Sequence, residues 1–258
     1  MLSEKILLMF SRKPDESDYK ESKVEYTIDN ALDIFISAFG SHFLQDIKNK
    51  AVLDFGCGSG FQVVAMALKG AKFVVGVDIR EEVFKDKGIN LAKKHKVSNK
   101  VKFLTKITDE FFEYFDIIIS QNSFEHYSDP KAIVELWKRL LKPKGKIYIT
   151  FGPPWYAPYG AHMNFFTKVP WVNLFFSEST VMKVRAYFRS DGAKRYEEIE
   201  GGLNKMTVRK FEKIIKNSGL AAEYINYHAV KKIKFLTKIP IIRELFINHI
   251  DCILIKNK

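Results

Sequence analysis

The sequence predicts an α/β chain built on an open, mostly parallel sheet with helices on both faces. Three observations carry that expectation. Between residues 51 and 151, short apolar runs alternate with helix-length segments, a rhythm that implies parallel strands joined by right-handed crossovers. One run, FDIIIS at 115–120, is too apolar to face water on either side, as expected of a strand covered on both faces. Finally, VLDFGCGSG at 52–60 sets three glycines at alternate positions directly behind an apolar run. In open α/β sheets such a turn lies at the ligand-binding edge.

The elements follow in order. TIDNALDIFISAFGSHFLQDI (27–47) carries Ile28, Leu32, Phe35, Ile36, Phe39 and Phe43 at helical spacing. AVLDF (51–55) reads as a strand and GFQVVAMALKG (60–70) as a helix closed by Gly70; KFVVGVDI (72–79) is a strand and EEVFKDKGINLAKKH (81–95) a helix. VKFL (101–104) and FDIIIS are strands. DPKAIVELWKRLLK (129–142) is a helix with Pro130 in its first turn, where a missing N–H is tolerated. GKIYITF (145–151) is the fifth strand. Beyond it the rhythm breaks, and residues 152–203 are rich in Pro, Gly and aromatics. TVRKFEKIIKNSG (207–219) is a helix capped by Thr207 and ended by Gly219. LAAEYINYHA (220–229) and DCILIK (251–256) are two more strands, separated by the basic-apolar insert KKIKFLTKIPIIRELF. One domain is expected: an N-terminal helical cap at 1–49, a core at 50–151 and 205–258, and a lid-like insertion at 152–204.

Composition excludes several classes. No window reaches the roughly 18 uninterrupted apolar residues of a membrane span. The N-terminus, MLSEKILLMFSRKPDESD, has a short apolar stretch carrying Lys5 and no small-residue cleavage site, so neither a signal peptide nor an anchor is expected; a surface-docking segment stays open. Cys57 and Cys252 form no CxxC pattern, which argues against a disulfide framework or a zinc site and for a reducing cytoplasm. The net charge is +12, and residues 151–258 carry 18 Lys/Arg against 9 Asp/Glu. Such a field attracts anionic partners: nucleic acid, phosphate-bearing substrates or acidic lipid headgroups.

The glycine turn accepts either a carboxylate or a phosphate at the helix that follows it. Three details discriminate. A dinucleotide fingerprint would place glycine at position 61, which is Phe61. Asp54 sits within the turn, where it would repel a pyrophosphate and pair with the ammonium of an amino acid. Asp78 ends the second strand, where a carboxylate can accept both hydroxyls of an unphosphorylated ribose. Ammonium, carboxylate and ribose together describe S-adenosylmethionine.

These residues resemble the class I S-adenosylmethionine-dependent methyltransferases, in particular the broad group acting on small molecules. The resemblance covers residues 50–151, and 205–256 more weakly. It rests on VLDFGCGSG, GVDI (76–79), FDIIISQNSFEHYSDP (115–130) and LLKPKGKIYIT (140–150) in that order. It implies a Rossmann-like seven-stranded sheet, mostly parallel with an antiparallel last strand, and S-adenosyl-L-methionine as cofactor. Asp54, Gly56, Gly58 and Gly60 would hold the methionine part, with Cys57 a small turn residue beside it. Asp78 would hold the ribose and Ile79 would pack on the adenine or ribose. The family often has an acidic residue at the position of Ile107; here Thr108, Asp109 or a backbone amide would serve the adenine. Asn122 would lie near the sulfonium, with Gln121 and Ser123 beside it.

Methyl transfer from a sulfonium is an in-line displacement, so the chief requirement is a close, aligned nucleophile. A hydroxyl acceptor also benefits from a general base; His126 and His162 are the candidates. Methylation of exocyclic amines is disfavoured, because QNSF (121–124) replaces the Asn/Asp-Pro-Pro-aromatic motif of such enzymes. Trp155, Tyr156, Tyr159 and His162, in GPPWYAPYGAHMNFF, are expected to line the acceptor site. The expected acceptor is a small or lipid-linked metabolite methylated at oxygen. VPWVNLFFSE (169–178) and the insert at 231–247 suggest contact with a membrane surface. An RNA-modifying enzyme and a non-catalytic cofactor-binding protein are the alternatives. The absence of an appended RNA-binding module makes nucleic acid the weaker partner.

Overall fold

The computed structural model describes residues 2–15 and 26–257; part of the expected N-terminal cap, residues 16–25, lies outside them. The strands are β1 (Ala51–Phe55), β2 (Phe73–Val77), β3 (Val101–Leu104), β4 (Phe115–Gln121), β5 (Leu141–Phe151), β6 (Ala221–Ala229) and β7 (Ile247–Ile255). They form one sheet in the order β3-β2-β1-β4-β5-β7-β6. All neighbours are parallel except at β7, which runs antiparallel to both β5 and β6. The seven-stranded Rossmann-like expectation is borne out. Strand order reverses between β1 and β4, so the crevice for a ligand opens at their carboxyl ends.

The helices are α1 (Leu2–Met9), α2 (Asp33–Phe39), α3 (Phe43–Asp46), α4 (Phe61–Leu68), α5 (Glu81–Asp86), α6 (Gly88–Lys94), α7 (Pro130–Leu140), α8 (Val172–Phe175), α9 (Glu178–Arg185), α10 (Val208–Ser218) and α11 (Arg243–Phe246). Alternation along the strands divides their side chains between two cores. Leu53, Ile118, Ile149 and Cys252 pack with Trp137 of α7 and Phe211 of α10. Val52, Ile119, Tyr148 and Ile253 pack with Phe35, Phe43 and the buried side of α4. Phe39 and Phe43 meet the Tyr148 ring edge-on at 5.1 and 5.2 Å.

The structure corrects several boundaries. The helical pattern at 27–47 is two helices, because Gly40 ends α2 with a φ of 82°. The helix expected at 81–95 divides at Lys87. There Gly88 lies close to Ser59 and Phe103; a Cβ on it would meet the Phe103 ring at 2.7 Å. The fifth strand begins at Leu141, four residues early, with a register irregularity between Phe115 and Ile117 of its partner. The last strand begins at Ile247, where KKIKFLTKIPIIRELF finishes in α11.

The insertion after β5 builds a third core of its own. Leu7 of α1 joins Phe166, Val172, Val181, Val184 and Tyr196 there, and Ser11 pairs with Thr167 as an isolated antiparallel bridge. The expected N-terminal cap therefore has two destinations: α1 packs on the insertion, whereas α2 and α3 pack on the sheet. Arg185, buried at the end of α9, is held by both carboxylate oxygens of Asp191, at 2.6 and 2.5 Å.

Candidate functional site

The glycine turn joins β1 to α4 at the reversal of strand order. At Gly56, φ is 89° and a Cβ would stand 2.4 Å from Ser123 Oγ, so only glycine lets the loop after β4 close on the turn. Gly58 is different: a Cβ there would meet nothing within 4 Å. Its φ of 47° turns the chain there. Gly60, left-handed at φ 79°, is the N-cap of α4 and supplies no side-chain cap. The first N–H groups of the helix are thus left for an anionic group on the open side.

Asp54 is fully buried beneath this turn, and among the described residues neither carboxylate oxygen has a hydrogen-bond partner. Burial, and secondarily the nearby Asp78 carboxylate, pushes its pKa up from 3.8 to about 8. A buried carboxyl with no donor is costly unless a cation or donor arrives. An amino acid ammonium is such a group, and the residues present fit the methionine end of S-adenosylmethionine.

Asp78, just beyond β2, is buried but fully engaged. Its Oδ2 accepts from Gly58 N at 2.9 Å, and its Oδ1 accepts from Arg80 N at 3.0 Å and Arg80 Nε at 3.3 Å. It therefore shapes the turn and stands where the sequence leads one to expect the ribose. Ile79 beside it is 86% exposed, which leaves an apolar shelf of the kind an adenine covers. Ile107 is buried in the core with Val77 and Phe111. Thr108 is exposed and its Oγ1 donates to Glu110 Oε1 at 3.0 Å. Neither side chain is thus displayed as a free polar partner for adenine.

Asn122 follows β4 in a left-handed conformation, φ 47°, with its N–H donating to Thr150 O at 2.7 Å. A non-glycine residue held at positive φ marks strain of a kind found at binding sites. Beside it, Gln121 Oε1 accepts from Gln62 Nε2 at 2.6 Å while its Nε2 donates to Tyr26 OH at 2.8 Å. Gln62 also donates to Ala31 O at 3.1 Å. This chain of amides ties the N-terminal segment to the open edge of the sheet. Cys57 is buried and its thiol pKa is raised, chiefly by burial and then by Asp54 and Asp78. It presents no thiolate for nucleophilic work.

The two histidines expected as bases come together across 36 positions of sequence, their ring centroids 5.5 Å apart. His126, in a 3-10 turn at Phe124–His126, places Nδ1 2.6 Å from Gly202 O. His162 Nε2 is buried with no partner. Burial, then His126, pushes the His162 pKa down to about 4, against a hydrogen bond with the Pro153 backbone. An unfolded histidine titrates near 6.5, so this neutral site contributes stability above that pH and loses it as pH falls toward 4. Relative to wild type, His162→Gln is expected to lose less Tm between pH 6.5 and 4. Parallel Tm profiles for the two proteins would contradict the assignment.

The aromatic residues expected at the acceptor site are placed differently. Trp155 packs edge-on against Tyr196, centroids 4.9 Å apart, within the core of the insertion. Tyr156 offers its carbonyl to Trp171 Nε1 at 3.1 Å, and Tyr159 is partly exposed. Only His162 of this group joins the loop after β4.

A further group was missed. Gln121 pairs in register with Thr150, Thr150 with Asp251, and Asp251 with Asn226. Four polar residues thus line up across β4, β5, β7 and β6, on the face that α2 and α4 cover lower down. Thr150 Oγ1 is buried without a partner. Asp251 is buried and faces two imidazoles, His249 and His228. The signal was present as His-Ile-Asp at 249–251, since alternate residues of a strand share a face. It carried meaning only once β7 was known to start at Ile247.

Known proteins agree with this arrangement. Residues 46–152 match the methyltransferase domain family model. A ubiquinone biosynthesis O-methyltransferase of Neisseria meningitidis serogroup C (strain 053442) is 31% identical over 112 residues, 41% of this chain and 45% of that protein. The match thus spans less than half the length of the curated relative. Among solved structures, a putative sarcosine dimethylglycine methyltransferase from Galdieria sulphuraria aligns over 100% of this chain and 99% of its own, with TM-score 0.58 and 13% identity. Magnesium protoporphyrin IX methyltransferase from Synechocystis PCC 6803 with bound SAH covers 93% of this chain and 91% of its own, at TM-score 0.53 and 15% identity. These likenesses extend the fold over the whole described chain. With its glycine turn and its paired aspartates, the segment at 46–152 is similar to the methyltransferase domain family, and the chain as a whole shares the fold of S-adenosylmethionine-dependent methyltransferases.

Proposed function

We propose that the protein transfers a methyl group from S-adenosylmethionine to an oxygen of a small or lipid-linked acceptor. The single observation that carries the methyl donor is the buried, unpartnered Asp54 carboxyl under a glycine turn whose Gly58 faces open space. Asp54 and the N-terminus of α4 would hold the two charges of the methionine moiety, Asp78 the ribose, and Ile79 the adenine. The bound cofactor supplies an activated methyl group. The chain supplies orientation, exclusion of water and a place for the acceptor's proton. Support for an oxygen acceptor comes from the relative named an O-methyltransferase.

The lipid-linked reading has its own support. Among the described residues no helix is long and apolar enough to cross a membrane. Yet α1 leaves Met9 82% exposed, and Phe175 of α8 is 70% exposed. Phe10, Lys168, Val169, Pro170, Phe175 and Phe176 line an apolar groove of about 510 Å³ between them. Exposed Lys168 stands at the edge of this groove, a combination of apolar and basic groups suited to anionic lipid headgroups. The two cysteines are free and buried, which agrees with a reducing compartment such as the cytoplasm, with peripheral contact to its membrane. Flotation with vesicles containing anionic phospholipid at low salt is expected to recover the protein. Phe175→Ser combined with Lys168→Glu is expected to weaken recovery at least tenfold. Equal recovery on neutral vesicles would contradict the electrostatic part, and no recovery on either would remove membrane contact.

The experiment for the activity is methyl transfer from labelled S-adenosylmethionine into separated lipid, metabolite and RNA fractions. Label is expected in the organic-soluble fraction. Label confined to RNA would favour the alternative reading, and binding of cofactor without any transfer would favour a non-catalytic role.

A further inference from the structure

We propose that Asp251 and His249 form the proton-accepting dyad for the acceptor hydroxyl, with Thr150 Oγ1 a hydrogen-bond partner for the acceptor. The inference rests on the methyl-donor assignment above and adds to it the residues that receive the proton.

The polar row across the sheet is its first support. Adjacent strands lie about 4.8 Å apart, so β7 stands about 10 Å from β4. An aromatic ring bridges that gap between a donor over the end of β4 and a base on β7. Within the row, Thr150 Oγ1 lies between Gln121 and Asp251, buried and without a partner. An unpartnered buried hydroxyl in a row of polar groups is explained by a ligand that hydrogen-bonds to it.

The dyad is its second support. Asp251 is 1% exposed; its Oδ1 lies 3.3 Å from His249 Nε2, and its Oδ2 bonds His228 Nε2. Burial raises the Asp251 pKa, but hydrogen bonds from His249 and His228 outweigh this and hold it below the usual range. A buried carboxylate kept charged in this way orients an imidazole and stabilises the imidazolium that forms on it. His249 is also fixed from the other side. Its ring lies over Gly152 at the end of β5, where a Cβ would stand 3.1 Å from Nδ1. Its side chain remains 28% exposed and so reaches the open edge. His228, 47% exposed on the edge strand, is one strand further from the donor and shares its Nε2 with Asn226. The charged and titratable groups facing His249 are Asp251 on its own strand, His228 on β6 and Glu125 of the loop after β4.

His126 and His162 compare poorly with this dyad. The free nitrogen of His162 is sealed, and a group titrating near 4 is a weak base toward a hydroxyl. His126 has no carboxylate among its hydrogen-bond partners; its Nδ1 meets the Gly202 carbonyl. In the proposed step the acceptor O–H proton passes to His249. The oxygen lone pair forms the new C–O bond as the methyl carbon–sulfur bond breaks. The products are the methyl ether, S-adenosylhomocysteine and an imidazolium that later releases its proton to water.

The test uses the full chain with S-adenosylmethionine and two catechol probes, 3,4-dihydroxybenzoate and a prenylated catechol in detergent. His249→Gln and Asp251→Asn are each expected to lower kcat about 100-fold, the lower range of general-base effects. Calorimetric affinity for S-adenosylmethionine should stay within twofold. In Asp251→Asn the acidic limb of the kcat–pH profile should move to lower pH, because the imidazolium loses its carboxylate; a purely structural role would not move it. His249→Gln, at a partly exposed position, keeps the test valid if asparagine at 251 disturbs folding. Wild-type turnover in both variants overturns the dyad. So does cofactor binding by wild type with no transfer to either catechol. Absence of cofactor binding by wild type instead overturns the methyl-donor reading beneath it.

Discussion

Asp54→Asn is expected to weaken S-adenosylmethionine binding about 10- to 100-fold while making the cofactor-free protein more stable above neutral pH. Both effects come from one buried carboxyl. With its pKa at about 8, Asp54 is mostly protonated at pH 7. An ammonium placed over it favours the carboxylate, so cofactor binding at pH 7 should release close to one proton. Calorimetry in buffers of different ionisation enthalpy reads that proton directly, and the release should vanish in Asp54→Asn. The loss in affinity corresponds to one charge-assisted hydrogen bond, roughly 1.5–3 kcal/mol.

The stability effect has the opposite sign. The folded-state pKa lies above the unfolded value, so the protonated group's contribution is present below pH 3.8 and lost as pH rises toward about 8. A difference of that size corresponds to on the order of 5 kcal/mol across the interval. Asparagine, which carries no charge, escapes this loss, so the variant's Tm should exceed the wild-type value at pH 8 to 9. A variant that binds cofactor normally, or a wild-type protein that binds it without releasing a proton, would mean the ammonium sits elsewhere.

Asp78→Ala is expected to weaken binding by a comparable or larger factor, for two separable reasons. The carboxylate orders Gly58 through the 2.9 Å bond to its N–H, and it offers acceptors to the ribose hydroxyls. A cofactor analogue lacking both hydroxyls separates these roles. It should bind wild type weakly, and Asp78→Ala should cost it much less than it costs S-adenosylmethionine. Equal losses for the two ligands would assign Asp78 to the turn alone.

Much of this was legible in the sequence because it is local. The stretch at 51–78 joins apolar strand runs, glycine placement and two aspartates, Asp54 and Asp78, within a short span, and each reports the same edge of the sheet. Asp54, Gly58 and Asp78 could therefore be found from spacing. Burial was less accessible. Nothing in the sequence showed that Ile107 packs into the core, or that Trp155 faces Tyr196 within the insertion. The His126–His162 contact depends on a chain that leaves β5 and returns, and no local pattern encodes such a distance. Asp251 was hidden for another reason. Its strand neighbours Thr150 and Asn226 are 101 and 25 positions away, and the row they make exists only in the pairing of β5, β7 and β6. The +12 charge likewise names a sign of partner without giving a place for it.

Isothermal titration of the full chain with S-adenosylmethionine, S-adenosylhomocysteine and NAD tests the central claim most directly. One molecule of either sulfur compound per chain should bind with micromolar or tighter affinity, and NAD should give no measurable heat. Saturable binding of NAD, or none of S-adenosylmethionine, would contradict the account of Asp54, Gly58 and Asp78 as a methyl-donor site.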